Sequence, residues 1–362
     1  MSQAYWPGIG NIRRSSSLRI DVAAPLSLLD LAPVNLSAGE TLADSIAHSV
    51  TMAQNAEAVG YERIWYAEHH NMPTIASAAP AVLTGIVAAQ TSTIRLGAGG
   101  VMLPNHAPLT IAEQFTTLAA AHPGRIDLGL GRAPGTDQQT FAALRRNVAS
   151  AERFPSDVVE LQAYLRGESR IPGVSSLTGQ PTDVELYILG SSLFGAQLAA
   201  QLGLPYAFAS HFAPQALEQA IAIYRNEFRP SEALAEPYLI AGMTAIVADD
   251  ADVAENQRRK VVRSRVRRQL PADRVYSDEE IDALLSTPNG AAIADMMRFS
   301  AVGTVDVARA AIDEFAAHTG ADELIIAPTA LDRAIWHNTV TALAPASADG
   351  STSSLDRKTA AS

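Results

Sequence analysis

From Leu26 to Leu31 the chain reads LSLLDL, a short apolar run closed by Pro33 and Asn35. From Glu40 to Gly60 it reads ETLADSIAHSVTMAQNAEAVG, with apolar residues at Leu42, Ile46, Val50, Ala53, Ala56 and Val59. The first run has the length of a buried strand, and the second has the spacing of a helix that stops at a glycine. Strand followed by helix is the unit, and it recurs. Arg63 to Ala67, Ile94 to Val101, Arg125 to Gly131, Leu186 to Gly190, Tyr206 to Ser210, Tyr238 to Val247 and Glu323 to Ala327 read as the other strands. Helical stretches lie between them at Ser77 to Gln90, Pro108 to Ala121, a region reaching Arg166 with a break near Pro155, Leu193 to Leu202, Pro214 to Phe228, Asp252 to Arg268 and Val305 to His318, with a last one near Leu331 to Leu343.

Strands alternating with helices at this spacing run parallel, because each crossover must return across the sheet before the next strand begins. Eight of them predict closure into a (β/α)8 TIM barrel; a doubly wound open sheet is the rival that alternation leaves open. Residues 269–300 are rich in charge, fall between the seventh strand and the helix before the eighth, and read as a rim insertion. Residues 1–24 and 346–362 carry Ser, Ala and Arg without a period, and read as an N-terminal extension and a C-terminal tail around one domain at 25–345.

Bulk composition suits a single large core. The 362 residues fall within the roughly 250 to 400 of one barrel, and 48% of them are apolar against 18% charged. A net charge of −11 repels a phosphate backbone, so nucleic acid is not an expected partner. The absence of cysteine removes disulfides, thiolate metal sites, iron–sulfur clusters and a cysteine nucleophile. No apolar run is long enough to span a membrane. The pair Arg13–Arg14 faintly resembles a twin-arginine export signal, but Arg19, Asp21 and Asp30 interrupt the apolar segment that should follow, and a cytoplasmic location is expected.

In a barrel, chemistry gathers where strands end at the C-terminal face. The second strand ends in Glu68-His69-His70-Asn71. Adjacent histidines on extended backbone point to opposite sides, so only one of His69 and His70 faces a common centre. With no His-x-His and no His-Glu-x-x-His helix either, no metal is expected. A histidine that merely hydrogen-bonds inside the rim is the plainer reading of this pair. Gly99 and Gly100 remove two Cβ atoms where the third strand meets the rim, which suits either close approach of a flat ligand or a simple turn. The fourth strand runs Gly129-Leu130-Gly131-Arg132. With Gly135 and Glu152 it loosely resembles a dinucleotide-binding loop, but Pro134 and Gly135 interrupt the helix such a loop needs, and the motif follows the fourth strand instead of the first.

What remains is Arg132, a cation on a glycine-flanked turn that can grip a phosphate. The fifth strand ends in Gly190-Ser191-Ser192, directly before a helix. That arrangement offers an anion free N–H groups and two hydroxyls, and serine capping is the alternative. Arg132 and this helix start together would hold one phosphate from two sides. The sixth strand ends in Ser210-His211. Arg258 to Arg268 holds seven basic residues in eleven, read as a solvated helix face, with a phosphate or docking role as the alternative.

Four stretches in this order resemble the bacterial-luciferase-like flavin-dependent monooxygenases: Trp65 to His70, Leu96 to Pro104, Gly124 to Arg132, and Tyr187 to Ser192, within a likeness that runs from about Pro25 to Leu343. The resemblance implies a barrel with FMN at its C-terminal mouth, reduced by a separate NAD(P)H:flavin reductase, and a monooxygenase that uses O2 on a small organic substrate. It implies Arg132 and the backbone from Gly190, Ser191 and Ser192 to Gly195 on the flavin phosphate. It also implies Gly99-Gly100 as a bulge, often a non-prolyl cis peptide, against the flavin ring. His69 matches the histidine that acts beside the flavin, and His70 and His211 are candidates for the substrate pocket. Light emission is not implied, because Gly131 stands where the light-emitting subunit has a cysteine. An F420-dependent oxidoreductase of the same fold, a non-catalytic flavin-binding subunit and a metal-dependent barrel hydrolase are the rivals. The family's dimers, with the small residues of Ser77 to Gln90 and Ile111 to Ala121, point to a homodimer, although packing against the barrel wall explains those residues as well.

Overall fold

The expected alternation is present in a computed structural model, which describes residues 24–345 apart from 134–136, 178 and 272–273. It begins β1 (Leu26–Asp30), α1 (Leu42–Val59), β2 (Arg63–Tyr66), α2 (Pro80–Ala88), β3 (Arg95–Met102), α3 (Pro108–Ala121) and β4 (Ile126–Gly131). The middle is α4 (Gln138–Ala143), α5 (Val148–Glu152), α6 (Phe154–Leu165), β5 (Glu185–Gly190), α7 (Leu193–Leu202), β6 (Tyr206–Phe208), α8 (Leu217–Glu227) and β7 (Leu239–Val247). It ends α9 (Ala251–Arg267), α10 (Asp278–Leu285), α11 (Pro288–Asp295), β8 (Ser300–Gly303), α12 (Val305–Thr319), β9 (Glu323–Pro328) and α13 (Arg333–Ala342).

Strands β1 to β6 lie side by side in chain order, β1 pairs on its other edge with β9, β9 pairs with β7, and β7 closes on β6. Every pairing is parallel, so the ring is a closed (β/α)8 barrel and the open-sheet rival falls. The ring holds eight strands, but a ninth, β8, was not expected from the sequence. It pairs with Thr244–Val247 of β7, beyond the point where β6 stops pairing at Ala241, and so extends one side of the mouth. Four residues are too few for an alternation to show.

The expected rim insertion at 269–300 folds as α10 and α11. Ser277 and Glu280 close a capping box at the start of α10, and Ile281 and Ile293 pack with Val266 of α9 in a small core of their own. The break expected near Pro155 is present between α5 and α6. The helix expected from Ser77 begins instead at Pro80, whose missing N–H suits a first turn, while the Ser77 hydroxyl donates to the Ala67 carbonyl. The terminal stretches, save Ala24, and the interruption at Pro134 and Gly135 lie outside the described residues.

Strand residues alternate between two cores. One face of each strand packs under the helices, through residues such as Leu28, Ile64, Leu96, Leu128 and Ile188. The other face fills the barrel, where Leu29, Trp65, Tyr187, Ile240 and Ile325 meet. Below them, at the strands' N-terminal ends, the interior is ionic. The Arg63 guanidinium donates to Glu323 at 2.9 Å, to Asp127 at 2.8 Å and to the Tyr187 hydroxyl at 2.7 Å, and Arg95 pairs with Asp127 from the side. This cluster fills the lower half of the barrel, and the C-terminal end is where barrels of this kind receive a ligand.

Candidate active site

The rim residues expected from the sequence fall on adjoining loops. Arg132 follows β4, and its guanidinium carbon lies 4.2 Å from the ring centroid of Phe194, in the first turn of α7. Its Nε donates to the Ala151 carbonyl at 3.4 Å, and no carboxylate pairs with it among the described residues. Arg132 and the start of α7 therefore converge, which was the arrangement on which the phosphate reading depended. Ser192 is the N-cap residue in extended conformation, yet its side chain makes no capping hydrogen bond, so serine capping is not what this Gly-Ser-Ser segment does. The first N–H groups of α7 are left available to an anion, at the positive end of the helix dipole. Gly190 and Gly195 let strand end and helix start approach: a Cβ on either would sit 3.3 Å from the other's Cα.

The peptide between Gly99 and Gly100 is cis, and the register of β3 against β4 shifts between Ala98 and Val101. A Cβ on Gly99 would come within 2.7 Å of the Trp65 Cβ, and one on Gly100 within 2.7 Å of the Gly129 carbonyl oxygen. Only bare backbone fits at this level of the barrel. The Trp65 indole, which occupies the space beside Gly99, donates to Asp127 at 2.9 Å and is thereby fixed.

His69 and His70 diverge, as extended backbone requires. His69 is half-buried, and its Nδ1 is buried with no hydrogen-bond partner among the described residues. Burial pushes its pKa down; the neighbouring Glu68 opposes this, while His70 and Arg268 add to it. The imidazole is therefore neutral at neutral pH. His70 turns instead to Glu68, 2.8 Å away, and lines an open cleft of ≈ 500 Å³ with Asn71, Gln139, Thr140, Ala143 and Leu144. His211, after β6, lies over Gly242 of β7, where a Cβ would approach its Nδ1 to 2.5 Å; that Nδ1 is buried and unpartnered too. Burial, with Arg265 nearby, lowers its pKa to about 4.

Sequence reasoning passed over Glu68. Its carboxylate is fully buried, accepts from His70 and from His106 at 2.8 Å each, and accepts the Met102 N–H at 2.9 Å. His106 stands on the short turn after β3, so this one carboxylate ties the β2 rim to the β3 rim beside Gly99-Gly100. Burial raises the Glu68 pKa, but the bonds from His106, Met102 and His70 outweigh it and the net shift is downward. Glu68, His70 and His106 place three potential metal-ligand atoms within 4.8 Å of one another. The 2.8 Å spacings are those of ring N–H groups donating to a carboxylate. The interrupted spacing of these three residues hides them in the sequence.

A closed parallel barrel whose uncapped α7 start, Arg132, and unpartnered His69 and His211 nitrogens lie on loops after the strands is a TIM barrel with its candidate site at the C-terminal rim. The family model for luciferase-like monooxygenases matches residues 28–323, and the chain belongs to that family. It is 44% identical over 308 residues to the uncharacterized protein YvbT of Bacillus subtilis (strain 168), covering 83% of this chain and 90% of that one. It is 52% identical over 236 residues to a luciferase-like monooxygenase of Escherichia coli (strain K12), covering 65% and 70%. An N-acetyl-S-alkylcysteine monooxygenase of B. subtilis is 41% identical over 189 residues, covering 51% and 56%. Among solved structures, apo-MsnO8 superposes with a TM-score of 0.78 at 34% identity over 89% of this chain and 97% of that one. More distant barrels share the fold alone, among them an FMN complex of the oxygenating constituent of 3,6-diketocamphane monooxygenase from Pseudomonas putida, at TM-score 0.65 and 14% identity over 89% and 97%.

Proposed function

We propose that this chain is a monooxygenase that uses reduced FMN and O2 to oxidise a small organic substrate, with the flavin supplied by a separate NAD(P)H:flavin reductase in the cytoplasm. The observation that carries the reading is the convergence of Arg132 on the first turn of α7, whose N–H groups Ser192 leaves uncapped. The Gly99-Gly100 segment fits FMN as well: the register shift between Ala98 and Val101 leaves side-chain-free backbone near the end of β3, which a flat ring can approach closely. When bound, the reduced flavin supplies the electrons that activate O2.

The chain's own groups have separable tasks. Arg132 and the amides from Ser191 to Gly195 hold the phosphate by charge-assisted hydrogen bonds. The Gly99-Gly100 segment supports the ring. His69, neutral and with a free Nδ1, can accept and return a proton during turnover. Glu68 holds the loops around it. His70 and His211 stand where a substrate would contact the rim. An exposed apolar pair on α2, Val82 and Ile86, supports the homodimer part of the reading.

Fluorescence titration of the purified protein with FMN tests the assignment. Arg132→Ala should weaken binding by roughly tenfold to a hundredfold, the loss expected when a charged group's hydrogen bonds are removed. Unchanged affinity in that variant refutes it. Mixing with reduced FMN or reduced F420 under air, and following absorbance, separates the flavin from the deazaflavin.

A further inference from the structure

Extended backbone turns His69 and His70 to opposite sides, and on that ground the sequence offered no pair of metal ligands. The fold supplies a second imidazole from another loop. His106, on the turn after β3, brings its Nε2 to 2.8 Å from Oε1 of Glu68, and His70, after β2, brings its Nε2 to 2.8 Å from the same oxygen. One carboxylate oxygen and two imidazole nitrogens, from two separate loops, thus lie within 4.8 Å of one another. Among the described residues no other three His, Asp or Glu side chains converge in this way.

Glu68 is fully buried, and its other oxygen, Oε2, accepts the Met102 N–H at 2.9 Å. The carboxylate is thereby fixed, with Oε1 as the atom that meets a cation. Both imidazoles are only half-buried, and His70 lines the cleft of ≈ 500 Å³, which gives an ion a way in from solvent. Two nitrogens and one carboxylate oxygen are ligands that suit zinc and its borderline neighbours, whereas magnesium and calcium favour oxygen throughout. Tetrahedral coordination with bonds of about 2.0 to 2.2 Å separates ligand atoms by about 3.3 Å, so each imidazole has to withdraw by about 0.5 Å. His106 stands on a turn and His70 beyond a strand end, so neither is held in place by a helix or a ladder. As hydrogen-bonded here, each Nε2–H donates to Oε1. To bind an ion, each neutral imidazole carries its proton on Nδ1 instead, exchanged through solvent, and turns the Nε2 lone pair to the metal.

We propose that Glu68, His70 and His106 bind one divalent ion of the zinc class, with water completing the coordination, and that the ion clips the β2 loop to the turn after β3. The site is separate from Arg132 and the start of α7, and it does not depend on the flavin reading. Its effect is mechanical. Two loops that flank Gly99-Gly100 and are joined by hydrogen bonds become joined by coordination bonds, and binding to the folded chain stabilises it by mass action.

Full-length, flavin-free protein stripped with EDTA tests the site. Co2+ should develop the visible absorption of a tetrahedral nitrogen-ligated ion, and Zn2+ should bleach it at one ion per chain. Zn2+ at a hundredfold excess over its Kd should raise the unfolding temperature by about 3 °C, and Mg2+ should not. Glu68→Gln and His106→Gln should each weaken Zn2+ at least about tenfold, since loss of even an outer partner of a metal site costs that much. His106 is half-buried on a turn, so His106→Gln decides the question if Glu68→Gln lowers stability. The His48–His337 pair, with Nδ1 and Nε2 3.1 Å apart between α1 and α13, is the internal control, and His337→Gln should leave the affinity unchanged. No cobalt spectrum with metal in large excess overturns the proposal. So does wild-type Zn2+ affinity in His106→Gln, or a loss confined to His337→Gln. FMN titration of Arg132→Ala is read independently, so either reading can fail while the other stands.

Discussion

Replacing Arg63 with alanine should destabilise the barrel by about 3 to 5 kcal/mol near neutral pH, the range for removing one member of a buried ionic cluster. Arg63 is completely buried, and its three short hydrogen bonds end on Asp127, Glu323 and Tyr187, also buried. After the substitution Asp127 still has Arg95 and the Trp65 indole. Glu323 keeps only neutral donors, the Ser27 and Tyr238 hydroxyls. The cost is therefore concentrated on one uncompensated carboxylate, and it depends on pH with a definite sign. In the intact protein burial raises the Asp127 pKa, but Arg95 and Arg63 outweigh it and the net shift is downward. That contribution is present above the unfolded pKa of about 3.9 and is lost as pH falls through the folded value. Removing Arg63 weakens that contribution, so the gap between the two proteins narrows as pH falls through this range. Urea unfolding of both proteins at about pH 3 and pH 7.5 should show the larger difference at pH 7.5, and adding Glu323→Gln to the variant should recover roughly 1 to 2 kcal/mol there. A difference below about 1 kcal/mol at pH 7.5, or one that is the same at both pH values, refutes the account.

His69→Ala should leave FMN affinity unchanged while slowing turnover by about a hundredfold, within the usual range for a positioned proton carrier; intact turnover would make this histidine structural. Glu68→Ala should cost about 1 to 3 kcal/mol by leaving the Met102 N–H and two imidazoles without their acceptor. Its depressed pKa stabilises the folded protein above the unfolded value of about 4.3 and ceases to do so as pH falls through the folded value, so the difference measured by thermal unfolding should shrink below about pH 4.

Much of this protein is written along the chain. Alternating apolar runs and amphipathic helices, from Leu26 to Leu343, determine eight parallel strands, because burial on a strand and on a helix demands different spacings that each local segment declares by itself. The glycines at 99, 100, 129 and 131 and the Gly-Ser-Ser before α7 are likewise local signals, since backbone exposure at a strand end needs no distant partner. What no local pattern can hold is which separated residues meet. Phe194 under Arg132, His106 on Glu68, and Glu323 with Asp127 around Arg63 join residues from different βα units, and only closure of the ring brings them into contact. The basic run of α9 shows this most clearly: its composition is plain in the sequence, yet the fold alone decides that Arg263 and Arg267 find carboxylates on α10.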